Sequence, residues 1–552
     1  MEYKNIVEIY KKLEKTSKRL EKVEIIQEFL KDCDDLKDVI YLLEGRIFPE
    51  WDERKIGISS QLVLKIISQS CGENKDKVEK LWKKEGDLGK VIEILFKNKK
   101  QTTLSRKKLD VKKVVDNIQK LPEFEGKGTI NKKIQLIVEL LNNADGEEAR
   151  FIVNTVLENL RVGVASGIIR DSIAKAFDKD VKDVENKYNL ITDYGEIAEL
   201  AKKNKLKSVS LKVGRPIKSM LAIKLENIKD AFKALGETVQ AEYKLDGFRL
   251  NIHKDKEIKL FTRNLEDVTK QFDELINVVK ENVKGKSFIL DCEVVGFDSK
   301  TGRYLPFQSI SQRIKRKYDI EDMAKKFPVE LHVFDVLYYN GKNLMDKSLK
   351  ERRELLEKIL KEKEKKIVLT KKLVSDNERK IGDFYKEALK NGHEGIMIKN
   401  LGSKYIPGRY VNGWIKLKPV LESLDLVILK GVWGEGKRSN WLSSFTLACS
   451  NGDKFLDVGK VGTGIKEKGE GVTFKTLTKE LKKYILKENG KEVILKPKLI
   501  VEINYEEIQK SPSYSSGYAL RFPRVLRIRG DKSIREINTL EDIKRIYSIQ
   551  KR

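Results

Sequence analysis

Residues 241–250 read AEYKLDGFRL, and how these residues fold decides how the rest of the chain is organised. Ala241, Tyr243 and Leu245 alternate with Gln240, Glu242 and Lys244, so a strand here sends one set into a core and the other towards a cleft. Asp246-Gly247 is a turn signal, and Arg249 stands just beyond it. An amine, two carboxylates and a guanidinium thus crowd together. That is the equipment for holding a nucleotide and attacking its phosphate with an amine. An isolated Lys-x-Asp-Gly reads just as well as a surface strand with ordinary ion pairs, so the surrounding sequence has to decide.

At 552 residues the chain exceeds one compact domain and predicts about three or four. Lys plus Arg number 113 against 85 for Asp plus Glu, a net charge of +28 spread along the whole sequence. Such a surface releases counterions from phosphates and steers nucleic acid towards itself. Solubility, or life at high temperature, would also explain a Lys/Glu-rich chain. Cys33, Cys71, Cys292 and Cys449 lie far apart with no CxxC pair, which argues against a zinc ribbon and a disulfide scaffold. The three histidines, His253, His332 and His393, leave little room for histidine-based metal or triad chemistry. No signal peptide or membrane-length apolar run is present, so the expectation is a cytoplasmic protein.

From the start to about Lys207 apolar residues recur at helical spacing, as in Ile6, Ile9, Tyr10 and Leu13, or Val153, Val156, Leu157 and Leu160. Two places break the pattern. Gly126-Lys127-Gly128-Thr129 precedes a helix and offers backbone N–H groups to a phosphate. Arg161-Val162-Gly163 opens a run of small residues that lets a nucleic-acid backbone come close. Each reads equally as a helix cap and a turn. Lys205 to Ile217 resembles a linker. After it the period becomes two: Phe288 to Val295 puts Asp291 and Glu293 on one face, and Glu330 to Tyr339 is another strand. Trp414 to Pro419 puts Lys416 and Lys418 together, and Lys350 to Lys361 is an amphipathic helix. Glu394 and Lys399 are five apart, so on a regular strand they would face opposite ways. Beyond Pro419, Leu426–Gly434, Ser444–Ser450, Lys454–Gly462 and Leu499–Ile508 read as short strands of a small barrel. Arg521, Arg527 and Arg529 share one parity there and predict a cationic row.

The order of these pieces resembles the covalent nucleotidyltransferases, and most closely the ATP-dependent DNA ligases of the archaeal and eukaryotic replicative type. Glu242, Lys244, Asp246, Gly247 and Arg249 match the pattern Glu-x-Lys-x-Asp-Gly-x-Arg. Phe261-Thr262-Arg263-Asn264, Leu290-Asp291-Cys292-Glu293, Val333-Phe334-Asp335, Glu394 to Lys399, Trp414 to Pro419 and Arg527 to Lys532 resemble the later elements, in order. Gly45 to Asp52, Leu160 to Gly167 and Gly214 to Ile217 resemble the family's N-terminal domain and its junction.

The resemblance implies an all-α DNA-binding domain over 1–208, an α+β nucleotidyltransferase (adenylation) domain over 209–419 and an all-β OB-fold barrel over 420–552. It implies sealing of nicks in duplex DNA with ATP and Mg²⁺ in replication, repair and recombination, through a lysyl-AMP on Lys244. Glu242 would accept from the adenine amino group, Phe334 would stack on the base, and Glu293 would hold the ribose. Arg249, Arg263 and Arg409 would contact ribose or phosphate, and Lys416 and Lys418 the α-phosphate. Glu293 and Glu394 would hold the metal. Arg527, Arg529 and Lys532 would hold pyrophosphate when the third domain swings over. Gly126, Lys127, Gly128, Arg161 and Gly163 would meet DNA. A monomer, and a sliding clamp as partner, are expectations of the family alone. An amine of ordinary pKa must lose its proton to attack, and the expectation is that Lys416, Lys418 and a metal ion depress it. An RNA ligase or an RNA-capping guanylyltransferase shares this lysine chemistry and is the alternative. An NAD-dependent ligase is disfavoured because no four-cysteine module follows the barrel.

Overall fold

Helices fill the chain from Tyr3–Lys15 to Tyr194–Lys202 because apolar side chains recur at three and four and must be buried together. In the first helix Ile6, Ile9, Tyr10 and Leu13 are all buried, and a single apolar core runs from Tyr3 to Val209. The structure is a computed structural model that describes residues 1–550 apart from 53, 98–106, 125, 127, 315, 317, 409, 420, 435–437 and 439. The helix expected to reach Leu160 stops at Val156, and Glu158 takes a positive φ of 52° just beyond it. The expected linker has no regular structure between Leu206–Ser208 and Leu221–Leu225, yet it is pinned. Arg215 bridges Asp193 at 3.1 Å and Glu196 at 2.7 Å and lies 5.0 Å from the Trp51 ring.

The middle of the chain folds into two sheets. One has five strands in the order Leu221–Leu225, Tyr410–Leu417, Gly395–Asn400, Val239–Lys244, Lys372–Ser375. The other is built on Ile258–Thr262, Phe248–Lys254, Phe288–Phe297 and Val329–Tyr339. The strand that opens the decisive stretch therefore belongs to the first sheet, and its successor to the second. Asp246-Gly247 is the crossing. Both faces of Val239–Lys244 are covered: Gln240 and Glu242 are as buried as Ala241 and Tyr243. The polar face that the alternation predicts lines a cleft closed by the opposite sheet. Helix Leu349–Ile359 follows a Ser348/Glu351 capping box, as the Lys350–Lys361 periodicity predicts.

The C-terminal region is mostly strand. Leu424–Trp433 is its spine, pairing with Leu442–Asn451 on one side and with both Glu492–Leu495 and Ile500–Asn504 on the other. The expected closed barrel is not completed by strand pairing among the described residues. Lys454–Val461 and Arg524–Ile528 form no ladder among the described residues, and an isolated bridge joins Thr463, just past the first strand, to Arg524. Two helices, Phe474–Lys482 and Leu540–Gln550, were not legible as breaks in the strand pattern. The expected strand Leu499–Ile508 is divided into Ile500–Asn504 and Glu507–Lys510. No helix among the described residues is long and apolar enough to cross a membrane.

Candidate functional site

One face of the five-stranded sheet carries most of the candidate residues. Directly opposed residues in an antiparallel sheet share a face. The register sets Lys244 against Gly395, Glu242 against Met397 and Gln240 against Lys399; Met397 then meets Lys416, and Lys399 meets Trp414. Glu242, Lys244, Lys399, Trp414 and Lys416 therefore share one side, and Lys418 joins them by period two. The glycines permit the close approaches. A Cβ on Gly247 would lie 2.2 Å from the Val294 carbonyl oxygen, and one on Gly395, where φ is +140°, would lie 2.2 Å from that of Leu417.

Lys244 Nζ lies 2.5 Å from Glu394 Oε2, and Lys418 Nζ lies 2.6 Å from the same oxygen. Glu394 occupies the turn before Gly395–Asn400 and donates its backbone N–H to the Lys244 carbonyl at 2.9 Å. That placement removes the parity conflict with Lys399. The expected depression of the Lys244 pKa is reversed. Burial pushes the amine down, but Glu394, Glu293 and Asp246 together outweigh it and hold the ammonium above its ordinary value. The lysines cannot dominate because they are answered by carboxylates in direct contact. Against the upward push of burial, Lys244 and Lys418 hold Glu394 down to about 2. Burial, with Glu394 and Asp291, pushes Glu293 up to about 7. Burial, with Glu394 and Glu507, raises Asp246 to about 6. Lys416 is a depressed amine: burial lowers it, and Lys418, Lys244 and Arg263 act in the same direction against Glu506. Perturbed groups of both signs gathered in one cleft are a mark of a functional site.

Behind this cluster lies a second one. Glu242 accepts from Lys399 Nζ at 2.5 Å and from Gln240 Nε2 at 2.7 Å. Lys399 rests 4.7 Å from the Phe334 ring and 4.3 Å from that of Trp414. Arg249 is held by Asp291 through Nε at 2.9 Å and Nη2 at 2.5 Å, by the Met220 carbonyl at 2.6 Å and by Tyr405 Oη at 3.1 Å. These four hydrogen bonds engage all three of its nitrogens, and the guanidinium stands 5.4 Å from the Phe334 ring. Asp335, beside Phe334, is fully buried and paired with Arg352, a structural role. Tyr405 is a member that sequence reasoning missed, and Gln240, Lys399 and Trp414 stood in the quoted stretches without a role assigned to them. The alternation Met397, Lys399 signals the place of Lys399 on this face.

Other expected residues stand apart. Arg263 is exposed just past Ile258–Thr262 and acts on Lys416 through space. Arg409 and Lys127 lie outside the described residues. Gly126 and Gly128 take φ of +99° and +87° before helix Ile130–Asn143, whose N-terminus has no side-chain cap. Arg161 is half-exposed, 3.6 Å from Asp87, and Gly163 takes φ +67° with its carbonyl accepting from Lys22 at 3.1 Å. The expected cationic row is corrected: Phe522, at φ 49°, interrupts the parity between Tyr518–Arg521 and Arg524–Ile528. Arg527 pairs with Glu502 at 2.5 Å, and Arg529 and Lys532 share Asp425 at 2.9 and 2.6 Å. None of the three pairs with the Lys244 cluster. That cluster meets the C-terminal region at Glu506, 3.8 Å from Lys418.

Three family models match this chain in order: "DNA ligase N terminus" over residues 2–174, "ATP dependent DNA ligase domain" over 219–418 and "ATP dependent DNA ligase C terminal region" over 438–532. A curated DNA ligase of Nanoarchaeum equitans is 48% identical, over 100% of this chain and 99% of that protein. The chain belongs to the ATP-dependent DNA ligases. A DNA ligase of Methanopyrus kandleri is 40% identical over 99% of both chains. The solved structure described as "Pmar-Lig_PreS3" aligns with a TM-score of 0.58 at 18% identity, over 95% of this chain and 99% of that one, a likeness of fold. In this ligase the matches leave a gap between residues 174 and 219. The junction pinned by Arg215, Asp193 and Glu196 falls within it.

Proposed function

We propose that this ligase seals nicks in duplex DNA with ATP, and that Lys244 is the nucleophile. The observation that carries the reading is the placement of the Lys244 amine at a strand end, enclosed by Glu394, Glu293 and Asp246 with Lys416 and Lys418 on the same face. The nitrogen attacks the α-phosphorus of ATP and pyrophosphate leaves. The AMP then moves from nitrogen to the 5′-phosphate of the nick, and the 3′-hydroxyl displaces it. An amine of pKa ~10.4 costs roughly 4 kcal/mol to deprotonate at about pH 7.5, and Glu394 adds to that cost. Diverting Glu394 from the amine is therefore part of activation. Glu394 and Glu293 supply hard oxygen donors beside the amine. This fits Mg²⁺, which keeps waters and borrows phosphate oxygens. When bound there, it would neutralise charge at the α-phosphate.

Lys416 and Lys418 are placed to stabilise the same charge. Phe334 offers its ring to adenine, and Glu242 its remaining acceptor capacity to the amino group, with Lys399 fixing the carboxylate. Arg249 acts by positioning, through Asp291 and Tyr405, while Arg263 and Arg409 take ribose or phosphate and Glu293 takes the ribose hydroxyls or the metal. Arg527, Arg529 and Lys532 reach pyrophosphate only if the C-terminal region swings and exchanges their carboxylate partners. The pairing around Leu424–Trp433 supports an OB-type barrel whose last seam is the Thr463–Arg524 bridge. We assign the three domains to 1–208, 209–419 and 420–552, with the backbone at Gly126 to Gly128 and Arg161 to Gly163 meeting DNA phosphates. A monomeric cytoplasmic enzyme recruited by a sliding clamp completes the proposal. The family models over the N-terminal and C-terminal regions favour DNA nicks over RNA ends or caps.

The test is incubation with α-labelled ATP, GTP or NAD and Mg²⁺, followed by a chase with nicked DNA. Label from ATP alone, on Lys244 and released by the nick as sealed product, is the expected result. Label retained by Lys244→Ala would remove the assignment of the nucleophile.

A further inference from the structure

The loop that opens at Arg161 rests on a buried lysine. Lys22, on helix Arg19–Lys31, is 6% exposed, and its Nζ donates to the Val162 carbonyl at 2.5 Å and to the Gly163 carbonyl at 3.1 Å. Burying an ammonium costs free energy that an apolar side chain would not, which sets Lys22 apart from its buried helix neighbours Val23, Ile26 and Leu30. Nearly one turn earlier, on the same helix face, Arg19 reaches the Gly167 carbonyl at 3.5 Å and pairs with Asp171 at 2.5 Å. Both ends of the loop are thus tied to one helix. Gly163 makes room for the amine: a Cβ there, where φ is +67°, would lie 2.7 Å from Lys22 Nζ. The consequence lies on the other edge of the backbone. In a trans peptide the carbonyl and the following N–H point opposite ways. With the Val162 and Gly163 carbonyls turned in towards Lys22, the Gly163 and Val164 N–H groups turn out. Gly163 is exposed, and no N–H from Arg161 to Ala165 donates to a described group.

We propose that Lys22 is a positioning residue for DNA binding: from beneath the loop, and without touching the duplex, its ammonium holds the Gly163 and Val164 N–H groups towards a phosphate of the nicked strand. Backbone N–H groups are ordinary partners of DNA phosphates. This role rests on the proposed function, in which the Arg161 to Gly163 backbone meets DNA, and it names the group that sets that backbone.

The test measures binding of the full-length chain to a nicked duplex by fluorescence anisotropy at fixed salt. Lys22→Met keeps the length of the side chain, loses the donor and should bind about tenfold more weakly. Lys31→Met removes the same charge from the far end of the helix, where Lys31 pairs with Glu28 at 2.7 Å, and should stay within about twofold of the parent. A merely structural lysine would not be coupled to a single phosphate. Neutral methylphosphonates placed one at a time should weaken the parent about fivefold at one or two positions, and Lys22→Met by less than about twofold at those same positions. That coupling is a ratio within each variant, so a loss of folded protein leaves it unmoved. Equal losses for the two lysine variants, or methylphosphonate losses unchanged by Lys22→Met, would overturn the role. Ala165→Asp separates the loop from the lysine. Helix Ser166–Ala176 has no side-chain cap at Ala165, so the new carboxylate should cap it and raise the melting temperature while setting a negative charge among the outward N–H groups. DNA binding should fall at least about tenfold. Undiminished binding by Ala165→Asp would show that the loop does not meet DNA, and that part of the proposed function would fail with it. Weakened binding by Ala165→Asp beside unaffected binding by Lys22→Met would overturn the role of Lys22 alone.

Discussion

At Lys244 the amine is held charged by the carboxylate that touches it, so the pH dependence of charging should report Glu394. Nucleotide transfer to the lysine needs the neutral amine and should accelerate as pH rises. Glu394→Gln removes the contact that raises the amine and should move that limb to lower pH, read in single-turnover adenylylation profiles; an unmoved limb would show that Glu394 does not control the proton. The stability sign is opposite for the carboxylate. Glu394 is depressed from 4.5 to about 2, so its contribution is complete above about pH 4.5 and is lost as pH falls through about 2. Acid unfolding of Glu394→Gln should therefore lack a component in that window. At Asp291, truncation to Ala leaves Arg249 enclosed with half its partners gone. Breaking such a pair costs about 3–5 kcal/mol, measurable by denaturant unfolding, and a loss below about 1 kcal/mol would show that Arg249 is not held there.

Among the elements, one glycine permits the close approach at the crossing between sheets, Gly247, and another the close approach within the first sheet, Gly395. Gly395→Ala places a Cβ 2.2 Å from the Leu417 carbonyl oxygen, and the backbone there, at φ +140°, already suits glycine. Strain of order 1–3 kcal/mol adds to the clash. The expected outcome is a lowered melting temperature together with slower charging of Lys244, because the same strand pair sets Glu394 against the amine. A variant that melts normally and charges normally would mean the strands can part without cost. At the other end of the chain, one residue in the left-handed region, Phe522, undid the expected arginine row. Period-two reasoning fails wherever the strand itself is interrupted.

For the whole molecule, the apolar core of the N-terminal third is closed within Tyr3 to Val209, so residues 1–209 should fold alone. The isolated fragment should unfold cooperatively on heating and retard nicked duplex, with an affinity that falls steeply with salt as phosphates regain their counterions. Retardation insensitive to salt would contradict a phosphate-reading platform. The order of helical and strand segments was legible because each period repeats many times. The closure of the C-terminal strands and the two helices among them were not, because pairing between distant strands leaves no local signature.

The sequence by itself determined that Glu242 and Lys244 share a strand face, where the chain turns after them and the succession of regions, since alternation and turn residues act over a few positions. The tertiary structure alone decided that Glu394 grips Lys244, that Arg249 is spent on Asp291, and that Arg529 and Lys532 rest on Asp425. These are partnerships between segments far apart in the chain. Charge finds its counterion in space, and residue spacing does not encode which carboxylate will be the nearer.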